Sequence, residues 1–177
     1  MNTDLDVCDC LKEDNNLTDG EDEWLANLLY MDFCIPNACL AAYRGHLTCL
    51  QKLDEGQDTS YTVSLSAAVK GHLQCLEYCT DHGYIKSSKI ASYAASNGHL
   101  DCLEHCTNHG YPKSEDASEF AAERGHLACL EHCTNHGYPK SKNAAQLAAE
   151  NDKRSCFEHC INNGYPKLEL HSLMLGY

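Results

Sequence analysis

The sequence predicts an all-α protein, a solenoid of stacked helix-turn-helix repeats. Residues 121–140 read AAERGHLACLEHCTNHGYPK, and closely related copies stand at residues 94–113 and 67–86. The glycine at the centre of the pattern recurs at Gly45, Gly71, Gly98 and Gly125, in steps of 26, 27 and 27 residues. A period of this length is typical of stacked units, each of which buries its apolar side on the next.

A pair of alanines in each repeat predicts the first helix. The pairs are Ala41/Ala42, Ala67/Ala68, Ala94/Ala95, Ala121/Ala122 and Ala148/Ala149. Alanine is the best helix former, and its short side chain lets neighbouring backbones approach closely. In four of the five repeats a glycine follows the pair. Because glycine adopts the left-handed conformation common at helix ends, the first helix should end there.

The second helix is predicted by the pattern His-Leu-x-Cys-Leu-x-x-Cys. In the third repeat it places Leu100, Cys102, Leu103 and Cys106 on one wide apolar face. The histidines of the Gly-His-Leu motif open this helix, where a side chain can bond free backbone groups. A further glycine ends the helix, and the Tyr-Pro-Lys that follows in most repeats favours an extended connection.

These patterns divide the chain into an acidic tail (1–19), a capping half-repeat (20–36), five repeats (37–62, 63–89, 90–116, 117–143 and 144–167) and a closing helix (168–177). The last repeat has Asp152, Lys153 and Arg154 where earlier repeats have Gly-His-Leu. An unpaired buried charge is costly, so we expect Arg154 to be exposed and the fifth repeat to be a polar-faced cap.

The charge balance excludes one class of partner and the hydropathy pattern another. The chain has 26 acidic and 13 basic residues, a net charge of −13, which repels nucleic acid. It lacks a signal peptide and any run of about 20 apolar residues that could span a membrane, so we expect a cytoplasmic protein. We also expect a monomer. Nine of the acids lie within residues 1–23. This segment is interpreted as a solvated tail, with an acidic docking arm or charge-mimic inhibitor as the alternative.

Most of the 13 cysteines follow the repeat, which indicates packing rather than a secreted disulfide framework. Pairs such as Cys102/Cys106 lie one helical turn apart, a poor geometry for a disulfide. With His105 and His109 they have zinc-ligand chemistry, so a metal-binding or redox-sensing protein is the alternative function. All four residues share one helix, however, and repeated Cys–His pairs are unlike a single active site. We expect no enzyme activity, no cofactor and no small-molecule substrate.

The alanine pair, the x-x-Gly-His-Leu that follows it and the glycine after the second helix resemble the ankyrin repeat over residues 37–167. The usual unit has about 33 residues and opens with Thr-Pro-Leu-His, which is absent here, so the β-hairpins should be shortened or missing. The short period resembles arrays of large eukaryotic DNA viruses. The resemblance implies a protein–protein interaction module that binds a partner through a concave groove, as a viral modulator of host proteins in the host cytoplasm.

Positions just before the central glycine vary while the alanines and leucines around them do not. In ankyrin-like arrays such positions line the groove. The predicted groove residues are Tyr43, Arg44, Leu65, Val69, Lys70, Ser96, Asn97, Glu119, Glu123, Arg124 and Glu150. The first half of this set is largely apolar and the second half largely acidic, which favours a partner with an apolar anchor and a basic segment.

Overall fold

A computed structural model of the chain describes residues 36–53 and 60–166. The acidic tail, nearly all of the capping half-repeat and the closing helix predicted from the sequence lie outside these residues. Within them are ten helices and no strand: α1 (Pro36–Tyr43), α2 (Leu47–Leu53), α3 (Tyr61–Lys70), α4 (Leu73–Asp81), α5 (Ser88–Ser96), α6 (Leu100–Asn108), α7 (Glu115–Arg124), α8 (Leu127–Asn135), α9 (Ala144–Glu150) and α10 (Arg154–Asn162).

The helices form pairs, and the pairs stack. The chain divides after Ile85 into an N-terminal unit, which includes α1 to α4, and a C-terminal unit, which includes α5 to α10. In the N-terminal unit α1 packs on α3, and α2 packs on α4. In the C-terminal unit α5, α7 and α9 pack in order, as do α6, α8 and α10. The all-helical, stacked architecture predicted from the repeat is confirmed.

The core is built from the residues that the repeat keeps constant. Both alanines of the first four pairs are fully buried. The second leucine of the second helix is fully buried in four successive repeats, as Leu50, Leu76, Leu103 and Leu130. Removing such a leucine costs about 2–5 kcal/mol, because the transfer free energy is lost and a cavity remains.

Three first helices begin two residues before the repeat boundaries assigned from the sequence. They start at Tyr61, Ser88 and Glu115. Ser87 and Ser114 explain two of these starts, because each side chain accepts a 3.3 Å hydrogen bond from the backbone N–H two residues later. A serine in extended conformation before a helix is a preferred N-cap, and the sequence reasoning missed this signal.

The histidine after the central glycine packs on the preceding repeat. A Cβ built on Gly98 would lie 2.6 Å from Nδ1 of His126, and one on Gly45 would lie 2.5 Å from Nδ1 of His72. Gly98 also has a φ of +76°. These glycines therefore end a helix in the left-handed conformation, and they also leave room for the histidine side chain of the following repeat. His126 additionally bonds the backbone of Ser96, as expected for a residue near unsatisfied helix-end groups.

Buried polar groups join successive second helices. The Oγ1 of Thr107 lies 2.8 Å from Nε2 of His132 and 3.0 Å from the hydroxyl of Tyr138. One repeat later, Thr134 makes the same two contacts, with His159 and Tyr165, both at 2.9 Å. These histidines therefore join neighbouring repeats.

A second set of bonds lies along the turns. Lys113 Nζ donates to the carbonyl of His136 at 2.6 Å and lies 5.4 Å from the centroid of the Tyr138 ring. Lys86 and Lys140 make the equivalent bonds to His109 and Asn163, at 2.7 and 2.6 Å. Each lysine therefore satisfies a carbonyl at the end of the following repeat's second helix.

Most of the cysteines behave as small apolar side chains. Nine of the ten described cysteines are free and buried. Burial raises the pKa of Cys129 to about 11 and that of Cys133 to about 12, so both remain thiols near neutral pH. Cys39 is disulfide-bonded, which corrects the expectation that the repeat cysteines are reduced throughout.

Arg154 is exposed, as the sequence predicted. Its guanidinium pairs with Glu158 at 2.8 Å. Among the described residues no helix is long and apolar enough to cross a membrane.

Candidate partner-binding surface

The structure divides the predicted groove residues of the N-terminal unit into two groups. Tyr43 and Arg44 are half-buried and Lys70 is exposed. The Lys70 ammonium lies 4.7 Å from the centroid of the Tyr43 ring, a cation–π geometry. Leu65 and Val69, in contrast, are 1% and 5% exposed. A partner cannot reach these two side chains in this structure, because α3 is buried along eight of its ten residues.

The C-terminal unit presents most of its predicted groove residues to solvent. Arg124 and Glu150 are exposed, and Asn97, Glu119 and Glu123 are half-buried. Ser96 is only 5% exposed, which removes it from direct contact.

Two of these side chains already make hydrogen bonds within the chain. Glu119 accepts hydrogen bonds from the Ser141 hydroxyl and, at 3.2 Å, from Nδ2 of Asn143, both in the connection to α9. Asn97 Nδ2 donates to the carbonyl of Tyr93 at 2.9 Å. The Glu119 carboxylate therefore joins α7 to the connection that leads to α9. A partner would have to compete with these bonds for the carboxylate.

The sequence reasoning missed a row of apolar side chains on the same helices. Tyr93, Phe120 and Leu147 occupy one position of the repeat, 27 residues apart, and all three are half-buried. The Tyr93 and Phe120 rings are 6.2 Å apart between centroids at 38°. Since α5 packs on α7 and α7 on α9, the three side chains form one row, here named the first-helix ridge. Comparing the residues that stand five positions before the central glycine of each repeat would have revealed the ridge.

Charged groups flank the first-helix ridge. Glu123 follows Phe120 by three residues, and Glu150 follows Leu147 by three, so each carboxylate shares a helix face with a ridge side chain. Arg124 supplies a positive charge one turn from Phe120. The Gln146 amide holds the Glu150 carboxylate at 2.6 Å. The surface therefore combines a half-exposed apolar row with a mainly acidic margin.

The glutamates of the second helices form a separate face. Glu77, Glu104 and Glu131 are exposed, and so is Glu158, so this side of the second helices faces solvent. This second-helix face provides matched control positions for the first-helix ridge.

The Cys/His columns do not come together as a metal site in the described part of the chain, where no group of three or more His, Cys, Asp or Glu side chains could hold an ion. The paired imidazoles stack instead: His105 on His109 and His132 on His136, each at 4.0 Å between centroids. In both pairs Nδ1 of the second histidine lies 2.9 Å from the carbonyl of the first. The raised thiol pKa values also oppose the thiolate that metal binding and redox sensing require.

The architecture defines the class of fold: an ankyrin-like helical repeat array. One similar solved structure is the crystal structure of the human ASB11 ankyrin repeat domain. The match has a TM-score of 0.62 and 16% sequence identity, and it covers 72% of this chain and 68% of that one. No protein-family model matches the sequence, and no curated protein is significantly similar to it. The repeat architecture is therefore shared with this ankyrin repeat domain at low sequence identity.

Proposed function

We propose that this chain is a non-enzymatic protein–protein interaction module that binds its partner along the first helices of the C-terminal unit. The first-helix ridge supplies the apolar contacts, and Glu123 and Glu150 supply the charge. The predicted groove residues Tyr43, Arg44 and Lys70 add a second accessible surface in the N-terminal unit. The resemblance to viral arrays adds that the partner is a host protein.

The observation that carries this proposal is the half-exposed row of Tyr93, Phe120 and Leu147. Large apolar and aromatic side chains that stay accessible in a regular row mark interaction surfaces more often than scattered ones do. Aromatic residues supply much of the energy of protein interfaces, with hot spots worth at least about 2 kcal/mol. The ankyrin-like fold supports the same interpretation, because repeat arrays present extended surfaces built from successive units.

The chemistry of the surface defines the partner. An apolar row with Glu123 and Glu150 on its margin fits a segment that carries large apolar side chains and Lys or Arg beside them. Electrostatic complementarity of this kind raises association rates at low ionic strength and suppresses acidic competitors. Because rim charges are screened by salt, binding should weaken as ionic strength rises.

The proposal is tested by selecting partners with defined variants. A random peptide library displayed on phage is panned against the immobilised wild-type chain, and the selected peptides are measured by fluorescence anisotropy. We expect selected sequences rich in Lys, Arg and large apolar residues, with affinity lost by tenfold or more in Phe120→Asp. Glu123→Lys should weaken binding most at low salt.

Glu131→Lys is the matched control, since it makes the same charge change on the second-helix face. Melting curves of each variant separate lost binding from lost folding. If Glu131→Lys abolishes binding and Phe120→Asp does not, the partner uses the second-helix face and the proposed site is wrong.

A further inference from the structure

The fifth repeat has an apolar end face, not the polar face that the sequence predicted for a cap, and this surface differs from the same surface in earlier repeats. Ala149 is exposed, whereas its counterparts Ala95 and Ala122 are fully buried. Phe157 is half-buried, whereas Leu103 and Leu130 at the same position are fully buried. A position that is sealed in earlier repeats and open only in the last is one that a following layer covers. Ala149, Phe157 and the half-buried Ile161 define this end face.

The end face lacks the glycine that leaves room for the histidine of a following repeat. Gly98 and Gly125 receive the side chains of His126 and Lys153, and a Cβ on either glycine would lie 2.6 or 2.7 Å from them. In the fifth repeat this position is Asp152, a non-glycine residue with a φ of 57°. Its Cβ stands where the imidazole of a further repeat would have to lie.

The end face has also lost the hydroxyls that join successive repeats. Thr107 and Thr134 each bond a histidine and a tyrosine of the following repeat. The residue at this position in the fifth repeat is Ile161. Ser118 bonds the carbonyl of Pro139 and the N–H of Ser141 in the connection that leads to the next first helix, α9, and its counterpart, Ala145, has no hydroxyl.

These replacements share one consequence. The end face cannot receive another repeat of the same kind, because it clashes with the histidine and leaves the histidine, tyrosine and backbone groups of that repeat without partners. It nevertheless exposes Ala149, Phe157 and Ile161, which favours an apolar occupant that brings no buried polar groups.

We propose that residues 168–177 of this chain are that occupant and cover the end face within the same molecule. The described chain reaches Pro166, directly after α10. In the preceding repeats α5 and α7 begin four residues after Tyr84 and Tyr111, and α9 begins six residues after Tyr138. The same spacings after Tyr165 place the next first helix at residues 169 to 171.

The composition of the segment matches the face. Leu170, Leu173 and Met174 have the i, i+3, i+4 spacing of one helix face. Residues 168–177 include one acidic residue, Glu169, and neither lysine nor arginine. Ten residues in a helix span about 15 Å, the length of α7, so the segment is long enough to lie along α9.

Methyl NMR of the full chain tests this contact. The chain has three methionines, Met1, Met31 and Met174, so ¹³C-methyl-methionine labelling gives a simple spectrum, with Met174→Leu assigning the signal. We expect nuclear Overhauser effects from the Met174 methyl to the Phe157 ring, and a ring-current shift that disappears in Phe157→Leu. Phe120→Leu, a matched change on the first-helix ridge, should leave the Met174 signal unchanged.

Two results would overturn the proposal. A Met174 methyl at its random-coil shift, insensitive to Phe157→Leu, would show that the segment does not cover the end face. Sedimentation equilibrium distinguishes the other occupant: a dimer of the full chain that Phe157→Asp dissociates would assign the face to a second copy. The test is independent of the first-helix ridge, so partner binding and end-face coverage can fail separately.

Discussion

Thr107 of the third repeat accepts a hydrogen bond from Nε2 of His132 in the fourth, with 2.8 Å between the heavy atoms. The direction follows from the neighbouring bonds. Thr107 donates its only hydroxyl proton to the carbonyl of Leu103 at 2.9 Å, so it accepts from His132 and from the hydroxyl of Tyr138. This assignment places the proton of the neutral imidazole on Nε2, and one threonine thus joins two repeats.

Thr107→Val should destabilise the protein, because it preserves shape but leaves two donors without their acceptor. We expect a loss of about 1–3 kcal/mol, the usual cost of leaving buried polar groups unsatisfied. Urea unfolding followed by circular dichroism measures it. Thr48→Val, at an exposed position of α2, is the control and should change little. Equal effects of the two changes would contradict the assigned role of Thr107.

Stability should fall as the pH drops below the ordinary histidine pKa of 6.5. Burial lowers the pKa of His132, with further lowering by His136 and Lys113 and an opposing effect of Glu104, 4.0 Å from Nδ1. Burial likewise lowers the pKa values of His126 and His159. The unfolded chain therefore binds protons at a higher pH than the folded one, so stability is fully present above pH 6.5 and is lost toward the lower folded-state pKa.

Urea midpoints at pH 7.5 and pH 5.5 measure this loss. His132→Gln should make the midpoint less sensitive to pH, because one titrating group is removed. A wild-type midpoint that is unchanged or higher at pH 5.5 would refute the predicted sign.

Gly98→Ala should cost more than Gly110→Ala. Both glycines have a positive φ, +76° and +70°, so both substitutions add the left-handed strain of about 1–2 kcal/mol. Only Gly98 also collides with His126, since nothing lies within 4 Å of a Cβ at Gly110. Melting of both variants compares the costs. If His126→Ala does not reduce the loss of stability caused by Gly98→Ala, the imidazole does not lie against Gly98.

Leu130→Ala should cost about 2–5 kcal/mol, because Leu130 is fully buried in the stack. Glu131→Ala, at the next residue but exposed, should cost almost nothing. Chemical denaturation of the two single variants provides the comparison. Similar losses would mean that α8 is oriented differently.

The helix pairs could be predicted from the sequence because each repeat carries its own local signals. Ala121 and Ala122 favour a helix, and Gly125 ends it. Leu130 belongs to a pattern of apolar residues with the spacing of an α-helix. The disulfide at Cys39 could not be predicted, because the repeat pattern pairs that cysteine with no other.

The candidate site was only partly predictable, for two physical reasons. Variation among repeats predicts exposure, but the positions of Leu65 and Val69 vary and both side chains are buried, since burial depends on neighbouring helices as well as on the repeat. The row containing Tyr93 and Phe120 lies between the positions that were compared, and it becomes visible only when successive first helices are placed side by side.

Site-specific photocrosslinking tests the proposed binding surface most directly. The photoreactive residue p-benzoylphenylalanine is placed at position 120 on the first-helix ridge or at position 131 on the second-helix face, and each protein is irradiated with a peptide selected by the wild-type chain. Binding along the first helices predicts adducts from position 120 and none from position 131. Adducts from position 131 alone would contradict it.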